Sequence, residues 1–165
     1  MFMDDLYKQR REEEQRRLEE EKRQKAALDD GSVKGLILSG DYNNIGYHVE
    51  FQNTIDEDTA FNLVTLCRRK FKKEDIILYI EVPYNNECGF VFTEDKIYSF
   101  IYSNLENVIE YSNIAEADFN EDSVIITLSN GEETTLDCGG FKGAEEYSKH
   151  MYSLVMDIID RVKKA

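Results

Sequence analysis

The chain has 165 residues, with 20 Lys and Arg against 34 Asp and Glu, a formal net charge of -14 when both histidines are neutral. Its composition, 41% hydrophobic and 12% aromatic, belongs to a chain that folds around a core, and its length suits one domain with an appendage. The acidic balance argues against duplex nucleic acid and against an anionic membrane surface, since both need clustered Lys and Arg.

No apolar run approaches the ~20 residues of a spanning helix, and Met1-Phe2-Met3-Asp4-Asp5 lacks the basic-then-apolar order of a signal peptide. The expected compartment is the cytoplasm. Cys67, Cys88 and Cys138 are odd in number and show no Cys-x2-Cys spacing. They read as free thiols rather than as a disulfide framework or a metal site.

In chain order, Asp4 to Asp30 holds 8 basic and 10 acidic residues, leaving -12 on residues 31–165. Lys8 to Lys25 has no Gly, Pro or β-branched residue, and Glu12-Arg16, Glu13-Arg17, Glu19-Arg23 and Glu21-Lys25 place acid four residues before base. Both features favour helix. Leu6, Tyr7, Leu18, Ala26, Ala27 and Leu28 are too sparse for an apolar heptad seam. A solvated, projecting helix is predicted, available for self-association or partner docking.

Val33–Ser39 and Ile45–Phe51, separated by the turn-forming Gly40-Asp41-Tyr42-Asn43-Asn44, are read as a hairpin. Ile45, Tyr47, Val49 and Phe51 share its inner face, while His48 and Glu50 lie on the outer one. Asp56-Glu57-Asp58-Thr59 supplies N-cap and first-turn acids for a helix to about Lys73. Seven short strands are predicted next: Ile76–Val82, Gly89–Thr93, Lys96–Tyr102, Val108–Tyr111, Ile114–Phe119, Ser123–Ser129 and Glu132–Leu136. Asn130-Gly131 is the strongest hairpin signal. A helix from about Gly143 to Lys163 closes the chain, with an apolar stripe of Tyr147, Met151, Leu154, Val155, Ile158, Ile159 and Val162.

Seven antiparallel strands followed by an amphipathic helix is the pleckstrin-homology (PH) order. Gly89-Phe-Val-Phe-Thr-Glu-Asp-Lys-Ile-Tyr-Ser-Phe100 resembles the G-x-x-x-T-D-x-R-L-x-x-F hairpin of small bacterial PH-like domains, and Val108 to Ala117 resembles their following strand pair. The resemblance spans about Asp58 to Val162. It implies an α+β fold: a seven-stranded antiparallel barrel or sandwich capped by a C-terminal helix, here with an N-terminal charged helix and an extra hairpin. The organisation expected is a projecting helix over 1–32, a hairpin and linker over 33–56, and a PH-like domain over 57–165. The resemblance also implies a scaffold used for phosphoinositide binding, peptide binding or oligomerisation. Lipid-binding relatives carry Lys and Arg in the first hairpin loop, whereas Pro83-Tyr84-Asn85-Asn86-Glu87 has none. Phosphoinositide binding is therefore not expected.

Candidate chemistry is thin. Cys138-Gly139-Gly140-Phe141-Lys142-Gly143 lacks the first Gly of a dinucleotide loop and has no strand after its helix. Asp118-Phe-Asn120-Glu-Asp122 begins like a calcium loop, but Ser123 and Ser129 stand where Gly and Glu are needed. Asp41-x-Asn43 fails similarly. For nucleophilic catalysis the candidates are the three Cys with His48 and His150, and a Cys-His pair would need a spatial adjacency that sequence does not show. No catalytic residue, metal or cofactor is assigned, and the chain is read as non-enzymatic. The leading expectation is a protein- or peptide-interaction module, with a protein partner or self-association. The alternative is an acidic immunity-type inhibitor of a basic toxin, steered by opposite charge.

Overall fold

The fold is that of a computed structural model described over residues 2–46, 48–82, 88–139 and 144–164. Residues 83–87 and 140–143, with Met1, Tyr47 and Ala165, lie outside the described residues, so the expectations placed on them stay as sequence readings.

The first helix, α1 (Phe2–Ala26), buries none of its side chains. It is polar nearly all round and is held by local pairs such as Arg17–Glu21 and Arg23–Glu20. The expected hairpin is not formed. Val33–Ser39 is a seven-residue helix, α2, with Ser32 as its N-cap accepting the Gly35 N–H at 2.9 Å. The reason is tertiary. Glu94, 61 and 60 positions away, accepts the Val33 and Lys34 N–H groups with one oxygen each at 2.9 Å. That supplies a first-turn acid the local sequence lacks. Of the described residues of the second expected strand, His48–Phe51 (β1) are extended, and they pair with β2 (Leu78–Glu81) instead of folding back on their own neighbour.

Helix α3 (Glu57–Leu66) starts on its predicted cap, the Asp56 carboxylate accepting the Thr59 N–H at 2.8 Å. It stops short of Lys73 because Arg68 and Arg69 both take left-handed backbone angles, φ 56°. The turn folds Phe71 back over the sheet, its ring 4.7 Å from that of Tyr98.

β2, β3 (Gly89–Phe92), β4 (Lys96–Ile101) and β5 (Asn104–Glu110) follow as an antiparallel meander, with β1 added beside β2, in the order β1-β2-β3-β4-β5. β6 (Ile114–Phe119), β7 (Ser123–Leu128) and β8 (Glu133–Asp137) form a second antiparallel sheet. Strand alternation gives the first sheet two covered faces. Leu78, Phe92, Ile97 and Ile109 sit in register on the face turned to β7 and α4 (Ala144–Lys164), whose Met151, Leu154, Val155, Ile158 and Ile159 are all buried. Tyr79, Val91 and Tyr98 sit in register on the other face, under Ala60 and Leu63 of α3 and beside Cys67. Val33 and Ile37 of α2, with Ile45, are buried in the α4-side core. Among the described residues the architecture is α+β: a five-stranded and a three-stranded antiparallel sheet with four α-helices, the last of them, α4, packed on the sheets.

Candidate functional site

The thiols considered as nucleophiles are buried. Cys67 follows α3, and burial pushes its thiol up to about 12. Burial pushes Cys138 up to about 12 as well. Cys88 lies buried in the α4-side core with the Tyr102 N–H directed at its sulfur, 3.5 Å away. At Cys67 and Cys138 burial thus works against the thiolate that a nucleophile needs.

His150 sits on α4 with Nε2 3.6 Å from Glu146 Oε2, one turn earlier. Asp118, Asn120 and Asp122 are spent on the β6–β7 turn, where Asn120 Oδ1 accepts the N–H groups of Asp122 and Ser123. Among the described residues no group of three or more His, Cys, Asp or Glu side chains is placed to hold a metal ion.

One cavity, of about 230 Å³, lies between the start of α2 and the end of α4 and includes Ser32, Val33, Glu94, Tyr111 and Arg161 in its lining. Its polar groups are committed to the fold. Glu94 caps α2, and Arg161 donates to Asp29 and to the Ser32 carbonyl. The Tyr111 hydroxyl donates to the Thr93 carbonyl at 2.6 Å. That region is a structural joint.

A second cavity, of about 210 Å³, opens beside β1, and its groups are less committed. Antiparallel register sets His48 opposite Glu81 and Glu50 opposite Tyr79, so all four side chains share one face. His48 is exposed on that face, as the sequence reading had it, whereas Glu50 is only partly exposed, with Thr59, Asn62 and Leu63 of α3 adding to the lining. His48 Nε2 is 3.2 Å from Glu50 Oε1. The other carboxylate oxygen, Glu50 Oε2, is shut off from solvent and has no hydrogen-bond partner, the one such side-chain atom among the described residues. Beside it the Tyr79 phenol is pushed above its usual range, first by desolvation and then by the nearby charges of Glu81 and Glu50.

The arrangement has acceptors in excess of donors inside a partly closed cleft, which suits a cationic side chain. Glu50 and Glu81 were not singled out from sequence. The available signal was one carboxylate in each of two short strands, Glu50 within β1 and Glu81 at the end of β2.

Among the described residues no strand pairs with β1 on the side away from β2. The Gln52 N–H donates to the Ile77 carbonyl at 2.8 Å. With the register above, this turns the main-chain groups of His48, Glu50 and Gln52 towards β2 and leaves those of Val49 on the outer side. Phe51, the next outward residue, is closed off by the turn, its carbonyl accepting the Thr54 and Ile55 N–H groups at 2.9 Å.

No helix among the described residues is long and apolar enough to cross a membrane. The chain matches no family model, no curated protein and no solved structure.

Proposed function

We propose that this chain is a non-enzymatic, PH-like interaction module that docks an extended, basic protein segment along β1. The observation that carries the proposal is Glu50 Oε2, a buried carboxylate oxygen without a partner at the rim of an open strand. Leaving such a group unpaired is costly, and an incoming Lys or Arg side chain would satisfy it while the segment's main chain meets Val49. The PH-like part of the reading is supported by the order of elements: β2 to β5 in one sheet, β6 to β8 in the other, then α4. In that reading α1, α2 and β1 are additions to the scaffold.

Extended peptides with a central Lys or Arg test the proposal by fluorescence anisotropy. Basic peptides should bind, their Gln-substituted counterparts should not, and Glu50→Gln should weaken binding about tenfold or more, as expected for a lost charge-assisted contact. Binding indifferent to peptide charge or to Glu50→Gln would sink it.

A second reading, an acidic inhibitor of a basic toxin, is favoured by the -12 carried on residues 31–165. Here the partner is a folded basic protein, and charge acts at a distance. The association rate should then fall steeply between low and high salt while dissociation changes little. A flat association rate removes this reading and leaves the peptide-docking one standing.

A further inference from the structure

We propose that α1 pairs with α1 of a second copy of this chain, antiparallel, about a two-fold axis at Gln15. The helix buries nothing of its own, and Phe2, Met3, Leu6, Tyr7, Leu18 and Leu28 are large apolar side chains left exposed along and just beyond it. They are too few for an apolar seam, so the occupant has to be specified by charge.

Spacings of three and four residues put Met3, Leu6, Arg10, Glu13, Arg17, Glu20, Gln24 and Ala27 along one face. Ala27 still belongs to that face, since its N–H donates to the Arg23 carbonyl at 3.0 Å. Set antiparallel about Gln15, this row meets itself. Arg10 falls opposite Glu20 of the second copy, Glu13 opposite Arg17, Leu6 opposite Gln24 and Met3 opposite Ala27. The two-fold repeats each contact, so four opposite-charge contacts lie in the centre and an apolar contact lies at each end, the self-complementarity an isologous interface requires. A parallel, in-register pair would set Arg10 on Arg10 and Glu13 on Glu13. It is excluded by like charge.

The remainder of the chain does not oppose the pairing. The junctions that follow Ala27 would stand about 36 Å apart along the paired helices, at 1.5 Å per residue. The points where the acidic bodies attach are then more than three Debye lengths apart, each of about 10 Å at 0.1 M salt. Exposed charge pairs are individually weak, so the dimer should be a concentration- and salt-dependent one.

Sedimentation of the full chain tests this. The mass should rise from 19.3 kDa towards twice that as concentration increases, and return to the monomer in high salt. Two charge variants sharpen the test. Glu13→Arg with Glu20→Arg makes the row wholly basic, and Arg10→Glu with Arg17→Glu makes it wholly acidic. Each alone should be monomeric at concentrations where the unaltered chain dimerises, and an equimolar mixture should dimerise again. Recovery on mixing cannot come from lost helicity, because the same two proteins are present. A monomer at every concentration would overturn the proposal. So would a dimer that survives removal of α1, or variants that fail to recover on mixing. None of these outcomes bears on the β1 cleft, which lies on the body.

Discussion

Arg161, in the last turn of α4, grips Asp29 with both ends of its guanidinium: Nη1 lies 2.6 Å from Oδ1 and Nη2 2.9 Å from Oδ2. The same Nη1 donates to the Ser32 carbonyl, so one side chain ties the stretch between α1 and α2 to the C-terminal helix. Tyr42 adds a second tie, its hydroxyl donating to Asp157 at 2.9 Å. The base of α1 is thereby fixed to the body while the rest of the helix stands free.

The first prediction follows from the charge on that fork. The Arg161 hydrogen bond, helped by the Gly31 N–H, holds the Asp29 carboxyl at about 2, below its ordinary 3.8. A carboxyl depressed in the folded state stabilises it above the unfolded value and loses that contribution as pH falls through the folded one. Asp29→Asn should therefore lower Tm at neutral pH, with the gap to the unaltered protein closing between pH 4 and pH 2, the window set by those two values. A gap that persists unchanged at pH 2 would show that Asp29 acts by packing alone.

The second prediction concerns the thiols. With Cys67, Cys88 and Cys138 all buried, the native protein should show no fast phase with a disulfide-exchange reagent at mildly alkaline pH. Three equivalents should react at once in denaturant. A single fast thiol in the native state would reopen nucleophilic chemistry.

The third prediction separates two glycines. A Cβ on Gly89 would come 2.4 Å from the Ile80 carbonyl oxygen, main chain that cannot step aside without parting β2 from β3. Gly131, in the β7–β8 turn, has open space around it and only its φ of 88° to lose. Gly89→Ala should cost about 3 kcal/mol, in the overpacking range, and Gly131→Ala about 1 kcal/mol, in the range of a lost left-handed turn. Denaturant unfolding of the two variants gives the comparison. Equal costs would mean that β3 can shift away from β2.

What was legible in the sequence was whatever local pattern decides. The alternation of Ile114–Phe119 and Ser123–Leu128, the Asn-Gly turn and the stripe on α4 all reappear in the structure with ends shifted by a residue at most. What was not legible depended on partners distant in sequence. Val33 and Ile37 are β-branched and favour strand locally, but Glu94 caps them into a helix. The end of α3 carries no glycine to mark it, because Arg68 and Arg69 make the left-handed turn themselves. β5 begins four residues earlier than its alternation suggests, since Tyr102 and Ser103 form the preceding turn with φ of 49° and 65° and no glycine. The β1 cleft was invisible for a similar reason. His48 does stay exposed, but Glu50 reads as solvent-facing until α3 is laid alongside it.

The last prediction asks where the cooperative unit begins. α1 buries no side chain, whereas α2 and β1 carry Val33, Ile37, Val49 and Phe51 into or against the α4-side core. Removing residues 1–28 should leave Asp29 for Arg161 and keep a single cooperative unfolding transition with its midpoint within a few degrees of the full chain. Removing residues 1–56 takes β1 from the sheet and α2 from beneath Glu94. Losing a single large buried side chain costs about 2–5 kcal/mol, and Val33, Ile37 and Ile45 are all buried. A small domain has only about 5–15 kcal/mol in hand, so the shorter chain should lose its cooperative transition or become insoluble. Thermal unfolding followed by circular dichroism on both truncations decides it. If the 57–165 fragment unfolds as sharply as the 29–165 one, the segment from α2 to β1 is an attachment, and a basic peptide bound along β1 would be held on a separable strand instead of on the edge of the core sheet.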